Sequence, residues 1–254
     1  MSQYLKKQFI IGFGWLVVLA VIVAVIYFLF FNPSAPSCTD GEQNQNEEGI
    51  DCGGPCALCE AEKKLEVLSQ IIIPTTDNNY DLAAKIKNPN YEWGADAINY
   101  QFDLYDSAGQ IIASKTGKTY ILSQETKYVI EPKFYSEKLV AKTEFKFNNI
   151  SWKKLEQIGD VELHVDAEYQ ILEDGSSVLA GTVENRSSYD LGTIEVVGVL
   201  LDENNKIIAV GRTSMNTVVK NENRGFEIFW PYPIIEEVKS FDARAYTNVF
   251  LIGK

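Results

Sequence analysis

Histidine is nearly absent from this chain: His164 is the one example in 254 residues, alongside two methionines and four cysteines. A lone imidazole excludes histidine-cluster metal centres, and any hydrolytic triad would have to use His164 as its base. His164 lies in "VELHVDAEY", where Leu163 and Val165 alternate to one face, so a strand would turn it outward. No G-x-S-x-G elbow accompanies it, and no pair of carboxylates stands in a catalytic signature. The expectation is a protein that is not an enzyme. Positive charge is short as well: 23 Lys and Arg face 35 Asp and Glu, for a net charge of −12. With nothing basic to neutralise phosphates, nucleic acid is excluded as a partner. Cysteine is missing outside residues 38–59, so whatever folds elsewhere does so without cross-links.

What is present begins with an uncharged run, "FIIGFGWLVVLAVIVAVIYFLFF", from Phe9 to Phe31. As a helix it would extend about 34 Å, enough for a hydrocarbon core of about 30 Å. A cleaved secretory peptide has a shorter apolar region and a small-residue cleavage site, whereas this run ends in bulky aromatics. It reads as an uncleaved anchor. Lys6 and Lys7 precede it, and "NPSAPSCTDGE" after it has no Lys or Arg. The positive-inside rule therefore predicts a cytoplasmic N-terminus over 1–8, a transmembrane helix over 9–31, and residues 32–254 outside the cytoplasm.

Beyond the anchor the pattern is short strands with period two. In "LVAKTEFKF", Ala141, Thr143, Phe145 and Phe147 share one face, and in "KSFDARAYT" Phe241, Ala243 and Ala245 do the same. "KKLEVLSQIII" could open as a helical turn, but its isoleucines favour a strand. An internal repeat is visible: "AAKIKNPNYEWGADAINYQFDLYDSAGQIIA" (83–113) parallels "LAGTVENRSSYDLGTIEVVGVLLDENNKIIA" (179–209). Asn88 matches Asn185, Asp106 matches Asp202, and Ile-Ile-Ala follows the Asp at the same offset in both. "DSAG" and "DENN" suit hairpin turns, because Asp bonds its own backbone and Gly or Asn tolerates positive φ. The fold class expected is mainly β: two tandem immunoglobulin-like β-sandwiches, over 62–152 and 158–254, each of roughly seven strands. Their cores would hold Trp93, Phe102, Phe145, Phe226, Phe229 and Trp230.

"FDLYD" at Phe102–Asp106, with "IKNPN", "GQIIA" and "ETKYVIEP" around it, resembles the FxLYD family of exported β-sandwich domains. It is also similar to the group-two late-embryogenesis-abundant sandwich domains. The second copy keeps Leu200, Leu201 and Asp202, with Val199 read in place of the Phe. The resemblance implies a β-sandwich in an extracytoplasmic setting, and it implies no reaction.

Between anchor and strands, over 32–61, lies an acidic stalk containing "SCTDGEQNQNEEGIDCGGPCALCE". Outside the membrane, Cys38, Cys52, Cys56 and Cys59 are expected to form disulfides, in any of three pairings. Zinc is the weaker alternative, since the Cys56–Cys59 spacing is not repeated by Cys38 and Cys52. Counting from Asp40, oxygen side chains fall at Asp40, Glu42, Asn44, Glu48 and Asp51, the ligand spacing of a twelve-residue calcium loop. Gln45 replaces the expected Gly and Asp51 the final Glu, so a solvated acidic loop is the alternative to a calcium cofactor. The segment resembles a C-x-DG…DCGGPCxxC cysteine-rich motif found beside the anchors of exported microbial proteins. "NIS" at Asn149 and "NRS" at Asn185 are glycosylation sequons, although Asn185 also occupies the turn equivalent to Asn88.

These features together predict a non-catalytic, single-pass membrane protein that serves as a structural or protein-interaction module. The partners expected are the membrane and other envelope or surface proteins, with the chain a subunit of a cell-envelope assembly. The competing expectation is a membrane-proximal sandwich that binds a ligand or lipid in an apolar cavity between its sheets.

Overall fold

The computed structural model describes residues 3–31, 38–44, 46–47, 50–57, 63–155 and 161–251. The chain divides into two compact units, Met1–Leu58 and Cys59–Lys254. The first carries one helix, α1 (Gln3–Phe31), and a loop closed by cysteines. Within α1 the side chains described are those of 12–27, all uncharged and exposed. Over the described residues no helix is long and apolar enough to cross a membrane, which takes about 20 residues.

The second unit is all β apart from a closing 3₁₀ turn at Val249–Leu251. Its first copy comprises β1 (Glu66–Pro74), β2 (Asn79–Lys87), β3 (Trp93–Tyr105), β4 (Ile111–Ile121), β5 (Thr126–Tyr135) and β6 (Lys142–Lys154). Its second comprises β7 (Leu163–Ile171), β8 (Ser177–Asn185), β9 (Leu191–Leu201), β10 (Ile207–Val218), β11 (Asn223–Trp230) and β12 (Ser240–Thr247). Among the described residues each copy thus has six strands, against the roughly seven expected. The antiparallel sheets run β1-β2-β5 and β4-β3-β6, then β7-β8-β11 and β10-β9-β12, so the repeat extends to identical strand order. The isoleucine run after Leu65 is indeed a strand, β1.

Within each copy the two sheets enclose a core. Leu82, Ile86, Ile98, Phe102, Leu104 and Phe145 fill the first, and Leu179, Ile194, Val196, Leu200, Phe226 and Trp230 fill the second. Phe102 was matched above to Val199, but strand parity corrects this. Leu104 and Leu200 are both inward, so two residues earlier Phe102 corresponds to Gly198. A Cβ on Gly198 would sit 2.6 Å from Leu179, 3.1 Å from Ile228 and 3.5 Å from Trp230, so in the second copy these side chains close over the position where the first has Phe102. Trp230 then donates its Nε1–H to the Val210 carbonyl at 3.0 Å. Phe229 is a second correction: its neighbours Ile228 and Trp230 face inward, and a period of two leaves it 54% exposed. Trp93 is half-buried and Phe241 exposed, while Ala243 and Ala245 pack on the core as expected.

A third cluster lies between the copies. Ala83, Tyr128 and Ile130 on the back of β1-β2-β5 pack with Val197, Val199, Val210 and Tyr246 on the back of β10-β9-β12. β2 and β9 are therefore buried on both faces, which explains the unbroken apolar stretch "VVGVLL".

Local devices repeat with the sheets. Asp106 Oδ1 accepts the N–H groups of Ala108 and Gln110, and Asp202 Oδ1 those of Asn204 and Lys206. At the other end, fully buried Asn88 donates Nδ2 to the carbonyls of Trp93 (2.6 Å) and Leu122 (2.8 Å) and accepts Asn90 N–H. Asn185 does the same with Tyr189 (2.8 Å), Val218 (3.0 Å) and Ser187. Both copies thus close one end around a buried carboxamide.

Candidate functional site

Among the described residues of the acidic loop, carboxylates cap backbone N–H groups. Cys38 is bonded to Cys56 across 18 positions, which in the chain-entropy treatment limits the unfolded loop by about 3 kcal/mol. Cys52 is also disulfide-bonded, and no described cysteine is free. Cys59 and Glu48 lie outside the described residues. Asp51, predicted as a twelfth-position ligand, instead uses both oxygens locally, accepting Asp40 N–H at 2.8 Å and Gly41 N–H at 2.9 Å. Asp40 accepts Glu42 N–H at 3.0 Å and the Asn44 Nδ2–H at 3.0 Å, and these bonds hold its carboxyl below the usual carboxylate range. Glu42 is exposed.

The residue that sequence reasoning missed is Glu47. It is 7% exposed, and its Oε2 accepts the N–H groups of Asn44 and Asp51, both at 3.2 Å. Its Oε1 lies 3.2 Å from Cys56 Sγ. Ligand atoms of Cys38, Glu47 and Cys56 therefore lie within 4.8 Å of one another, yet a disulfide sulfur is not a thiolate and cannot bind zinc as one. The second glycine of "DCGG" is needed sterically, because a Cβ on Gly54 would stand 2.2 Å from the Asn46 carbonyl oxygen.

The junction between the β copies is a second concentration of polar groups. Lys127 on β5 is fully buried, and its Nζ has no hydrogen-bond partner. It lies 3.4 Å from the centroid of the Tyr120 ring and 5.0 Å from that of Tyr246. Burial pushes the ammonium pKa down, against the opposing pull of Glu125 and Glu195. Tyr246 Oη accepts Tyr128 N–H at 3.3 Å. Farther along the same interface, Tyr232 donates its O–H to Asp81 Oδ2 at 2.9 Å while Lys133 N–H bonds Oδ1 at 2.8 Å. Burial raises the Asp81 pKa despite these bonds. Glu131 accepts the Tyr100 hydroxyl at 2.6 Å and faces Arg212, which pairs with Glu195 at 3.1 Å.

These contacts fix orientation. Tyr246 meets Tyr128 near the ends of β12 and β5 that adjoin the buried Asn residues, and Tyr232 meets Asp81 at the opposite ends. The copies lie side by side in the same sense, so their turns at 75–78, 106–110, 136–141, 172–176, 202–206 and 231–239 share one end. On equivalent loops at that end, Leu139 is 81% and Ile235 99% exposed.

His164 is exposed on β7, and no described feature groups it with a nucleophile. Asn149 is exposed on β6. Asn185, the other sequon, is fully buried, and both its amide hydrogens are donated inside the fold.

No family model matches this chain, and no curated protein does either. Among solved structures, it is similar to a transglutaminase of red sea bream at 11% identity and a TM-score of 0.22, over 71% of this chain and 29% of that one. At that score the likeness bears on neither fold nor activity.

Proposed function

We propose that this chain is a non-catalytic, membrane-anchored protein whose β unit lies outside the cytoplasm and binds other proteins of the cell envelope. The anchor is the uncharged run 9–31, oriented by Lys6 and Lys7. Oxidised cysteines support an extracytoplasmic setting, since thiols stay reduced in most cytosols. The fold proposed is a tandem of immunoglobulin-like sandwiches of the FxLYD kind. The strand order β1-β2-β5 and β4-β3-β6 supports that reading in its first, second, third, fifth and sixth strands, while β4 pairs with β3 rather than with β5 and no seventh strand stands among the described residues.

The observation that carries the binding role is the pair Leu139 and Ile235, exposed at the same end of two copies held in fixed relation by a buried interface. Sandwich loops clustered at one end are where such domains bind partners. A cavity-binding role has no observation in its favour. Leu82, Ile98, Phe102 and Leu104 are fully buried between the sheets, and the cleft at Asp202, Lys206, Glu236 and Lys239 is open and charged.

Two experiments test this. Protease added to intact cells should remove the β unit; full protection would refute its location. Cross-linking in the native membrane with mass spectrometry should capture a partner, and a Leu139→Ser, Ile235→Ser double variant should lose most of the adduct. Recovery of monomer alone, or an unchanged adduct in the variant, would refute the binding end.

A further inference from the structure

We propose, resting on the binding role above, that the end carrying Leu139 and Ile235 docks a partner segment whose apolar side chains are flanked by lysine or arginine. That end is one connected surface. Ser136 N–H bonds the Asn78 carbonyl at 3.1 Å and Ala141 N–H the Tyr105 carbonyl at 2.8 Å, which joins the turns of the first copy. The 231–239 loop joins the rest. Lys206 Nζ pairs with Glu236 at 3.1 Å, a Cβ on Gly175 would stand 3.4 Å from Pro233 Cγ, and Tyr232 reaches across to Asp81. Ile111, Tyr135, Leu172 and Phe241 are also exposed in or beside these turns, so Leu139 and Ile235 are not isolated apolar points.

Charge selects the occupant. The six turns at this end hold nine Asp and Glu against three Lys and no Arg, a net of −6. Two of those lysines are already paired, Lys206 with Glu236 and Lys239 with Glu237. Beside Ile235 an open cleft sets the carboxylates of Asp202, Glu203, Glu236 and Glu237 around the same two lysines, room for a basic side chain next to an apolar one. A second copy meeting this end with its own would press −6 against −6, and anionic lipid headgroups would be repelled likewise. The chain itself enters and leaves the β unit at the other end. Lys63 N–H bonds Asn90 Oδ1 at 2.9 Å, β1 begins against Lys87, and the 3₁₀ turn at Val249–Leu251 follows Thr247 there. The occupant is therefore a basic, apolar segment of another protein: its apolar anchors supply affinity, and the acidic rim supplies selectivity and encounter rate.

The test uses the full-length chain in phosphatidylcholine nanodiscs, with empty nanodiscs as the blank. The probe is a fluorescein-labelled heptapeptide with two leucines between pairs of lysines, read by anisotropy. Replacing its lysines by glutamates, or its leucines by serines, should weaken binding about tenfold or more, and raising salt from about 50 to about 500 mM should weaken it several-fold. Leu139→Ser with Ile235→Ser, and separately Glu236→Lys with Glu237→Lys, should each cost about tenfold. Asp166→Lys with Glu168→Lys makes the same change in net charge on the exposed face of β7 and should cost less than about threefold at physiological salt. Thermal unfolding checks that each variant is folded. Equal binding of the lysine and glutamate peptides, or equal losses in the two charge variants, overturns the inference. Self-association, or flotation with phosphatidylserine vesicles, that Leu139→Ser with Ile235→Ser abolishes would give the end to a second copy or to lipid and also overturn it. In the native membrane, an adduct at this end whose captured segment is acidic or uncharged would overturn the inference and leave the binding role standing, whereas recovery of monomer alone would refute the binding role itself.

Discussion

Lys127→Met should stabilise the β unit, although it deletes a cation held against two tyrosine rings. The wild-type ammonium makes a close contact with Tyr120 and a longer one with Tyr246. A desolvated cation–π contact is worth about 2 kcal/mol. Against this stands the removal of an ammonium from water, several kcal/mol after relaxation, with no hydrogen bond recovered at Nζ. Met retains an unbranched stem and makes its own sulfur–aromatic contacts with the same rings. The balance favours the variant by about 1–3 kcal/mol, or roughly 2–10 °C in Tm for a unit of this size. The pH dependence separates this from a generic packing gain. Lys127 has a folded-state pKa depressed below its unfolded value of 10.5, so the unfolded chain binds the extra proton between the two. Wild-type stability therefore rises with pH across that window, and the advantage of Lys127→Met shrinks there. The comparison belongs below about pH 10, because Tyr120 and Tyr246, both pushed up by burial, add the opposite slope once their unfolded forms ionise. Urea unfolding from pH 7 to 9.5 measures it. A variant less stable than wild type by more than about 1 kcal/mol at pH 7 would refute the reasoning, since the aromatic pair would then outweigh desolvation.

Asp81→Asn keeps an acceptor for Lys133 N–H while removing a carboxylate whose pKa burial has raised. The folded state then holds the proton more tightly, so wild-type stability falls as pH rises through the raised value; the variant should gain at pH 7 and lose its advantage below about pH 4. Denaturant midpoints at the two pH values check this. Asn185→Ala strands the Tyr189 and Val218 carbonyls and Ser187 N–H, and should lower stability by about 2–4 kcal/mol, with Asn88→Ala similar in the first copy. In a glycosylating host, intact-mass analysis should find sugar at Asn149 and none at Asn185 in folded protein. Gly198→Ala should cost more than about 2 kcal/mol by thermal unfolding, because its Cβ would press on Leu179 and Ile228.

Much of the β architecture was legible because alternation and turn chemistry are local signals. Asp106 and Asp202 start their hairpins as read, and Phe145 and Phe147 share the inward face with Thr143. The misreadings came where a residue's environment depends on a distant strand. Phe229 was placed inside by its hydrophobicity, although Trp230 next to it had already taken that face. The interface between the copies was written in "AAKI" and "VVGVLL", runs too uniformly apolar for strands with one wet face, but a run does not name what covers it. In the loop, spacing located the acidic residues and overlooked Glu47, because burial beneath a disulfide depends on which cysteines pair, and three pairings were open.

The interface also changes what the repeat can do. Two sandwiches joined by a free linker would sample many orientations, and exposed side chains such as Leu139 and Ile235 would engage a partner independently. Here Tyr128, Ile130, Val197 and Val199 bury the contact, Asp81 with Tyr232 adds a directional bond along it, and Glu131 with Arg212 adds an ion pair at 3.9 Å. Apolar burial alone would allow the sheets to slide, because it is nearly indifferent to register. Buried Lys127 and Asp81 make most slipped registers worse, since any shift that lost the Tyr246 ring or the Tyr232 hydroxyl would leave those groups with still less. On that account the charges are retained for geometry at the expense of stability. Lys127→Met should therefore raise Tm while broadening the spread of distances between spin labels on the Leu139 and Ile235 loops. An unchanged, narrow distribution measured by electron–electron resonance would leave the apolar contacts sufficient and refute the role of the buried charge.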